Sequence, residues 1–121
     1  MNDGFIAEGE MAEQRIDGRV LDDLYQVIES RRGGDPETSY SAKLLQAGPR
    51  TAAQKVGEEA VETAIEGASG SPEALASESA DLLYHLLVLW ASRGVAPDQV
   101  WAALARLKGV SGITEKASRG R

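Results

Sequence analysis

The stretch from Ala80 to Trp90, ADLLYHLLVLW, constrains the fold more than any other part of the chain. A helix built on Leu82 to Trp90 is apolar on nearly every side, with His85 as the interruption, and such a helix must be surrounded. Its upstream end has a different character. At about 100° per residue, Glu78, Asp81 and His85 share a sector roughly 60° wide, bordered by Leu82 and Leu89. An ionised carboxylate buried there has to be neutralised, paired with a base or bound to a metal.

The helix also implies an oligomer. At 121 residues and 42% hydrophobic content the chain suits one soluble domain with a modest core. The other helical segments are few and some are short, so a homodimer or higher homo-oligomer is expected, with Leu83, Leu87 and Trp90 in its interface.

Those other segments follow from periodicity and punctuation. Val20, Leu21, Leu24, Val27 and Ile28 recur at helical spacing after Asp17, and the pattern stops at Gly33 and Gly34. A turn at Asp35-Pro36 precedes a short helical stretch from Tyr40 to Ala47, which Gly48-Pro49 stops. Thr51 is positioned to cap a helix running to about Ala68, with Val56, Ala60, Val61, Ala64 and Ile65 as its apolar side. Ser71 caps the apolar helix with Pro72 at its first position, and that helix stops near Gly94. Pro97 and Asp98 open a last helix through Val100, Trp101, Leu104 and Leu107, closed by Gly109. Strand signals are absent. The expected fold is all-α, an antiparallel bundle of four to five helices over residues 17–109. Residues 1–16 read as a flexible N-terminal tail and 110–121 as a basic C-terminal tail with net charge +2.

Composition removes several function classes. The formal net charge of -6 argues against a nucleic acid polymer as partner. With no cysteine, neither disulfides nor thiolate metal sites are available, which fits a reducing, cytoplasmic setting. No apolar run reaches the length of a membrane span.

A second acidic group precedes the apolar helix. In KVGEEAVE, Glu59 and Glu62 are three apart, with Glu58 one turn before Glu62 and Lys55 one turn before Glu59. The loop to Glu78 is short enough for antiparallel packing of the two helices. Two i, i+3 carboxylate pairs on facing helices, Glu59 and Glu62 with Glu78 and Asp81, make a hard oxygen site suited to Mg²⁺, with Mn²⁺ as the other fitting ion. Zinc is disfavoured with no Cys and one His. The same spacing also suits a solvated acidic face, and His85 alone suits a satisfied core histidine as well as a ligand. Gly57 inside a helix costs about 1 kcal/mol relative to Ala; close packing and close approach of a substrate both account for it.

The segments SYSAKLLQAG, QKVGEEAVETAIE, ESADLLYHLLVLW and GVSGITEKASR resemble the phosphoribosyl-ATP pyrophosphohydrolase family. This family is one of the MazG-like all-α nucleoside triphosphate pyrophosphohydrolases, which share ExxE followed later by ExxD. The resemblance covers roughly residues 20 to 119. It implies Mg²⁺-dependent hydrolysis of phosphoribosyl-ATP to phosphoribosyl-AMP and pyrophosphate, the second step of histidine biosynthesis. By position, Glu59, Glu62, Glu78 and Asp81 match the metal carboxylates, and Glu58 matches an extra acid that holds a further metal or orients water. Catalysis is thereby expected of Glu58, Glu59 and Glu62. Lys55 matches the lysine ahead of the motif, and Lys43, Arg50, His85, Lys116 and Arg119 are further substrate-contact candidates. Some family members are fused to the phosphoribosyl-AMP cyclohydrolase; this sequence has neither room for that domain nor its cysteines. A MazG-like housecleaning pyrophosphohydrolase and a non-catalytic helical dimerisation module are the alternatives.

Overall fold

The computed structural model describes residues 16–109. Five helices follow one another: α1 (Val20–Ser30), α2 (Tyr40–Ala47), α3 (Pro49–Ser69), α4 (Pro72–Arg93) and α5 (Pro97–Lys108). No strand occurs among the described residues, so the all-α expectation holds. Most of the predicted tails, residues 1–15 and 110–121, lie outside the described residues.

The centre of the molecule is the hairpin of α3 and α4, 21 and 22 residues long. Only Gly70 and Ser71 separate them, which forces the antiparallel arrangement and gives the most extensive helix pairing in the protein. Ser71 accepts a hydrogen bond from the Ala74 N–H at 3.0 Å, with Pro72 in the first turn. At the far end Gly94 takes the left-handed conformation (φ 73°) that closes α4, a conformation costly for any residue with a Cβ. α2 begins at Ser39, whose side chain accepts from Ala42 N–H at 3.1 Å.

Thr51 is not the cap of α3. Gly48 at φ 99° ends α2 and begins α3 on one residue, so Pro49 enters the helix at once and Thr51 already lies inside it.

α1 packs on α4, and α2 leans on both helices of the hairpin. Ile28, Val88, Ala52 and Leu87 are essentially inaccessible, joined by Tyr25, Leu44 and Ala91. Each large apolar side chain removed from water here contributes about 1.5–3 kcal/mol. Polar clamps fix the layers: the Tyr25 hydroxyl donates to the Val95 carbonyl at 3.0 Å, and Arg32 donates to the Ala91 carbonyl at 2.8 Å. α5 is held through Trp101, which packs edge-on against Trp90 and donates its indole N–H to Asp22 at 3.0 Å.

One expectation about apolar surface needs correction. Leu87 is 1% exposed within a single chain, so it belongs to the core and not to an interface. Leu83 remains 41% exposed. The described residues leave the apolar side of α3 uncovered as well, with Val61 and Ile65 59% and 56% exposed.

Candidate active site

The hairpin sets the register of the acids. With so short a turn, the ExxE of α3 lies across from the ExxD of α4, and carboxylate oxygens of Glu59, Glu78 and Asp81 all fall within 4.8 Å of one another. Glu62, expected as the fourth carboxylate, is not one of these three, and it bears on them through Glu78. Its carboxyl contact is the largest cause, ahead of lost hydration and the charges of Asp81 and Glu59, that raises the Glu78 carboxyl above its ordinary range. Thr63 ties the two motifs together from behind: its hydroxyl donates to the Glu59 carbonyl at 2.7 Å and lies 3.2 Å from the Glu78 carbonyl.

Glu59 Oε1 and Glu78 Oε1 are buried with no hydrogen-bond partner among the described residues. A buried carboxylate oxygen without a partner is a large expense for a fold to carry. A divalent cation would satisfy both at once, and an all-oxygen donor set on two helices fits Mg²⁺ or Mn²⁺ better than zinc. The solvated-face alternative leaves those two oxygens unexplained.

The neighbouring residues divide into two groups. Lys55 and Glu58 stand next to the cluster and hold each other at 3.4 Å, with Gln54 donating to Glu58 at 3.3 Å. The hydrogen bonds from Gln54 and Lys55 keep the Glu58 carboxyl below the usual range, while the Tyr40 phenol and then Glu58 push Lys55 above its own. Lys43 and Arg50 are exposed and make no hydrogen bond or ion pair to these acids. Lys116 and Arg119 lie outside the described residues.

His85 is 6% exposed, with both ring nitrogens engaged. Nδ1 lies 2.8 Å from the Asp81 carbonyl one turn earlier, and Nε2 lies 3.3 Å from the Tyr40 hydroxyl. Since the carbonyl can only accept, Nδ1 carries the proton and Nε2 accepts from Tyr40. Tyr40 also stacks on Tyr84, whose hydroxyl lies 2.6 Å from Ser41 Oγ. This aromatic cluster pins α2 beside the turn that carries Asp81. Tyr40 and Thr63 were not among the sequence-predicted site residues. Tyr40 stood inside SYSAKLLQAG, quoted only for its resemblance, and Thr63 had no signal beyond its place one residue after Glu62. A Cβ built on Gly57 meets nothing within 4 Å, so packing among the described residues does not require that glycine.

Comparison with known proteins bears on the same residues. The family model for phosphoribosyl-ATP pyrophosphohydrolase matches residues 21–108, which include both acidic motifs. A phosphoribosyl-ATP pyrophosphatase of Azospirillum brasilense is 59% identical over 109 residues, covering 90% of this chain and 98% of that protein. One from Paramagnetospirillum magneticum is 56% identical over 105 residues, covering 87% and 96%. A third, from Rhodospirillum rubrum, is 56% identical over 100 residues, covering 83% and 86%. The match runs through the hairpin and its carboxylates, and the chain belongs to the phosphoribosyl-ATP pyrophosphohydrolase family.

Proposed function

We propose that this chain hydrolyses phosphoribosyl-ATP between its α and β phosphates, giving phosphoribosyl-AMP and pyrophosphate, in the cytoplasmic pathway to histidine. The observation that carries the reading is the pair of orphaned buried oxygens, Glu59 Oε1 and Glu78 Oε1, inside a group of carboxylates from two facing helices.

Glu59, Glu62, Glu78 and Asp81 are the residues that would hold Mg²⁺, or Mn²⁺ in its place. The bound ions supply charge neutralisation at the phosphate oxygens and a lowered pKa for water. The protein's own groups do the rest. The rigid hairpin orients the acids, and Glu62, on the exposed side of the group, orients the attacking water and takes its proton. Glu58 stands by as a further acid. The exposed Lys55–Glu58 pair is worth little by itself, so Lys55 exchanges its carboxylate for a substrate phosphate at small cost. Lys43, Arg50 and the basic residues Lys116 and Arg119 supply further positive charge for the pyrophosphate that leaves.

The assembly is a homodimer at least. Val61, Ile65 and Leu83 leave apolar surface on both helices of the hairpin, and a second copy covers it.

The test is pyrophosphate release from phosphoribosyl-ATP with Mg²⁺, with EDTA and with Glu62→Ala, beside a panel of nucleoside triphosphates. Metal-dependent release that prefers phosphoribosyl-ATP and disappears in the variant is the expected result. Release from other triphosphates alone would overturn the substrate, and a folded protein inert on every substrate would overturn the enzyme.

A further inference from the structure

Away from the acids, a cavity of about 610 Å³ opens between the end of α1 and the start of α2. Arg31 and Ser30 line it on the α1 side, and Thr38, Ser39, Tyr40 and Ser41 on the other. Arg31 has no ion-pair partner among the described residues, unlike the adjacent Arg32, which is bidentate on Glu29 and also holds the Ala91 carbonyl. Ser39 accepts from the Ala42 N–H through its oxygen, which leaves its own proton free to donate. The one acid in the lining, Asp35, has a carboxylate oxygen engaged by the Glu37 N–H at 2.9 Å. The cavity is open to solvent and presents a guanidinium with no ion-pair partner among the described residues, together with the free proton of the Ser39 hydroxyl.

Tyr40 connects this space to the acidic group. The residue forms part of the cavity wall, and its hydroxyl meets His85, which in turn holds the Asp81 carbonyl. Two hydrogen bonds thus separate the cavity wall from the turn bearing Asp81.

The substrate assigned above has two anionic ends, a triphosphate and a phosphomonoester on its second ribose. A group of carboxylates that takes the first repels the second, so the monoester needs cations and donors elsewhere. Resting on that substrate reading, we infer that the Arg31 cavity binds the phosphoribosyl arm, with the Arg31 guanidinium on its phosphate and the Ser39 hydroxyl donating beside it. A planar fork suits a phosphate bidentately. The cavity is then what distinguishes phosphoribosyl-ATP from a plain nucleoside triphosphate.

The experiment compares wild type and Arg31→Gln on two substrates, phosphoribosyl-ATP and the same compound made without the phosphate on its second ribose, the triphosphate intact. The expected result is a KM for phosphoribosyl-ATP raised about 10- to 100-fold by the substitution, the range for a lost hydrogen bond to a charged group, with kcat nearly unchanged. Wild type on the dephosphorylated compound shows a KM raised to the same extent, and Arg31→Gln raises it no further. Arg31→Lys recovers part of the loss on phosphoribosyl-ATP. Equal effects on both substrates, or none on either, overturn the subsite while wild-type turnover of phosphoribosyl-ATP leaves the enzyme reading intact. Absence of that turnover in wild type overturns both.

Discussion

Thr63 on α3 places its hydroxyl 3.2 Å from the backbone carbonyl of Glu78 on α4, directly behind the carboxylates that the two helices bring together. The same hydroxyl donates to the carbonyl of Glu59. Thr63→Val keeps the shape and removes the hydroxyl, so it is expected to cost about 1 kcal/mol of stability. Because the residue orients both acidic motifs, Mg²⁺ affinity should fall further, roughly 10-fold or more. Calorimetric titration with Mg²⁺ and thermal unfolding of the metal-free protein separate the two effects; unchanged affinity would refute the orienting role.

Substitution of the acids themselves should act on turnover. Glu59→Gln, Glu62→Ala and Asp81→Asn each remove a charge assigned to holding metal, a contribution of several kcal/mol to charge stabilisation, which corresponds to about a thousand-fold in kcat. Glu58→Gln, whose carboxylate is already engaged by Lys55 and Gln54, is expected to lose less. Equal losses at Glu58 and Glu62, measured by pyrophosphate release, would place Glu58 inside the metal group.

The raised Glu78 carboxyl gives a pH dependence with a definite sign. In the metal-free protein the folded state holds the Glu78 proton more tightly than the unfolded chain does, mainly through Glu62. Stability from this group is therefore intact below its ordinary value of 4.5 and is lost as pH rises through the folded-state value above it. Unfolding midpoints of the metal-free protein should accordingly rise in Glu78→Gln at neutral pH and converge with wild type in acid. Saturating Mg²⁺ should stabilise wild type and leave Glu78→Gln nearly unmoved. A metal-free wild type more stable than the variant at neutral pH would contradict the crowding of negative charge.

Ile28, fully buried between α1 and α4, tests the core. Ile28→Ala is expected to cost about 2–5 kcal/mol and to lower Tm by roughly 10 °C or more. Ile65→Glu, on the uncovered side of α3, should instead change assembly: light scattering is expected to give at least a dimer for wild type and a monomer for the variant. A monomeric wild type at micromolar concentration would refute the homodimer.

Much of this architecture was legible in sequence because its signals are local. Ser71, Pro72, Gly94, Pro97 and Gly109 mark helix ends through backbone chemistry that each residue carries by itself, and Tyr40–Ala47 was bounded correctly between the Asp35-Pro36 turn and the Gly48-Pro49 stop. The start of α3 was misplaced because Gly48 shortens a connection that sequence alone shows only as a stop. Leu87 was misassigned because a helix apolar on every side does not reveal which apolar residues its own chain will cover. The i, i+3 spacing of the acids was readable, but spacing alone suited a solvated face equally well. Tyr40, Thr63 and Arg31 were not readable, since each acts through a residue far away in sequence or through a cavity that exists only once α1 and α2 are in place.

Gly48 carries one further consequence. By serving as the last residue of one helix and the first boundary of the next, it leaves α2 and α3 articulated at an elbow without slack. No intervening loop separates the two helices, so the orientation of α2 beside Tyr40 is set directly against the first turns of α3. Lys55 and Glu58 follow about two to three turns along α3, so this corner sets where they stand relative to Tyr40.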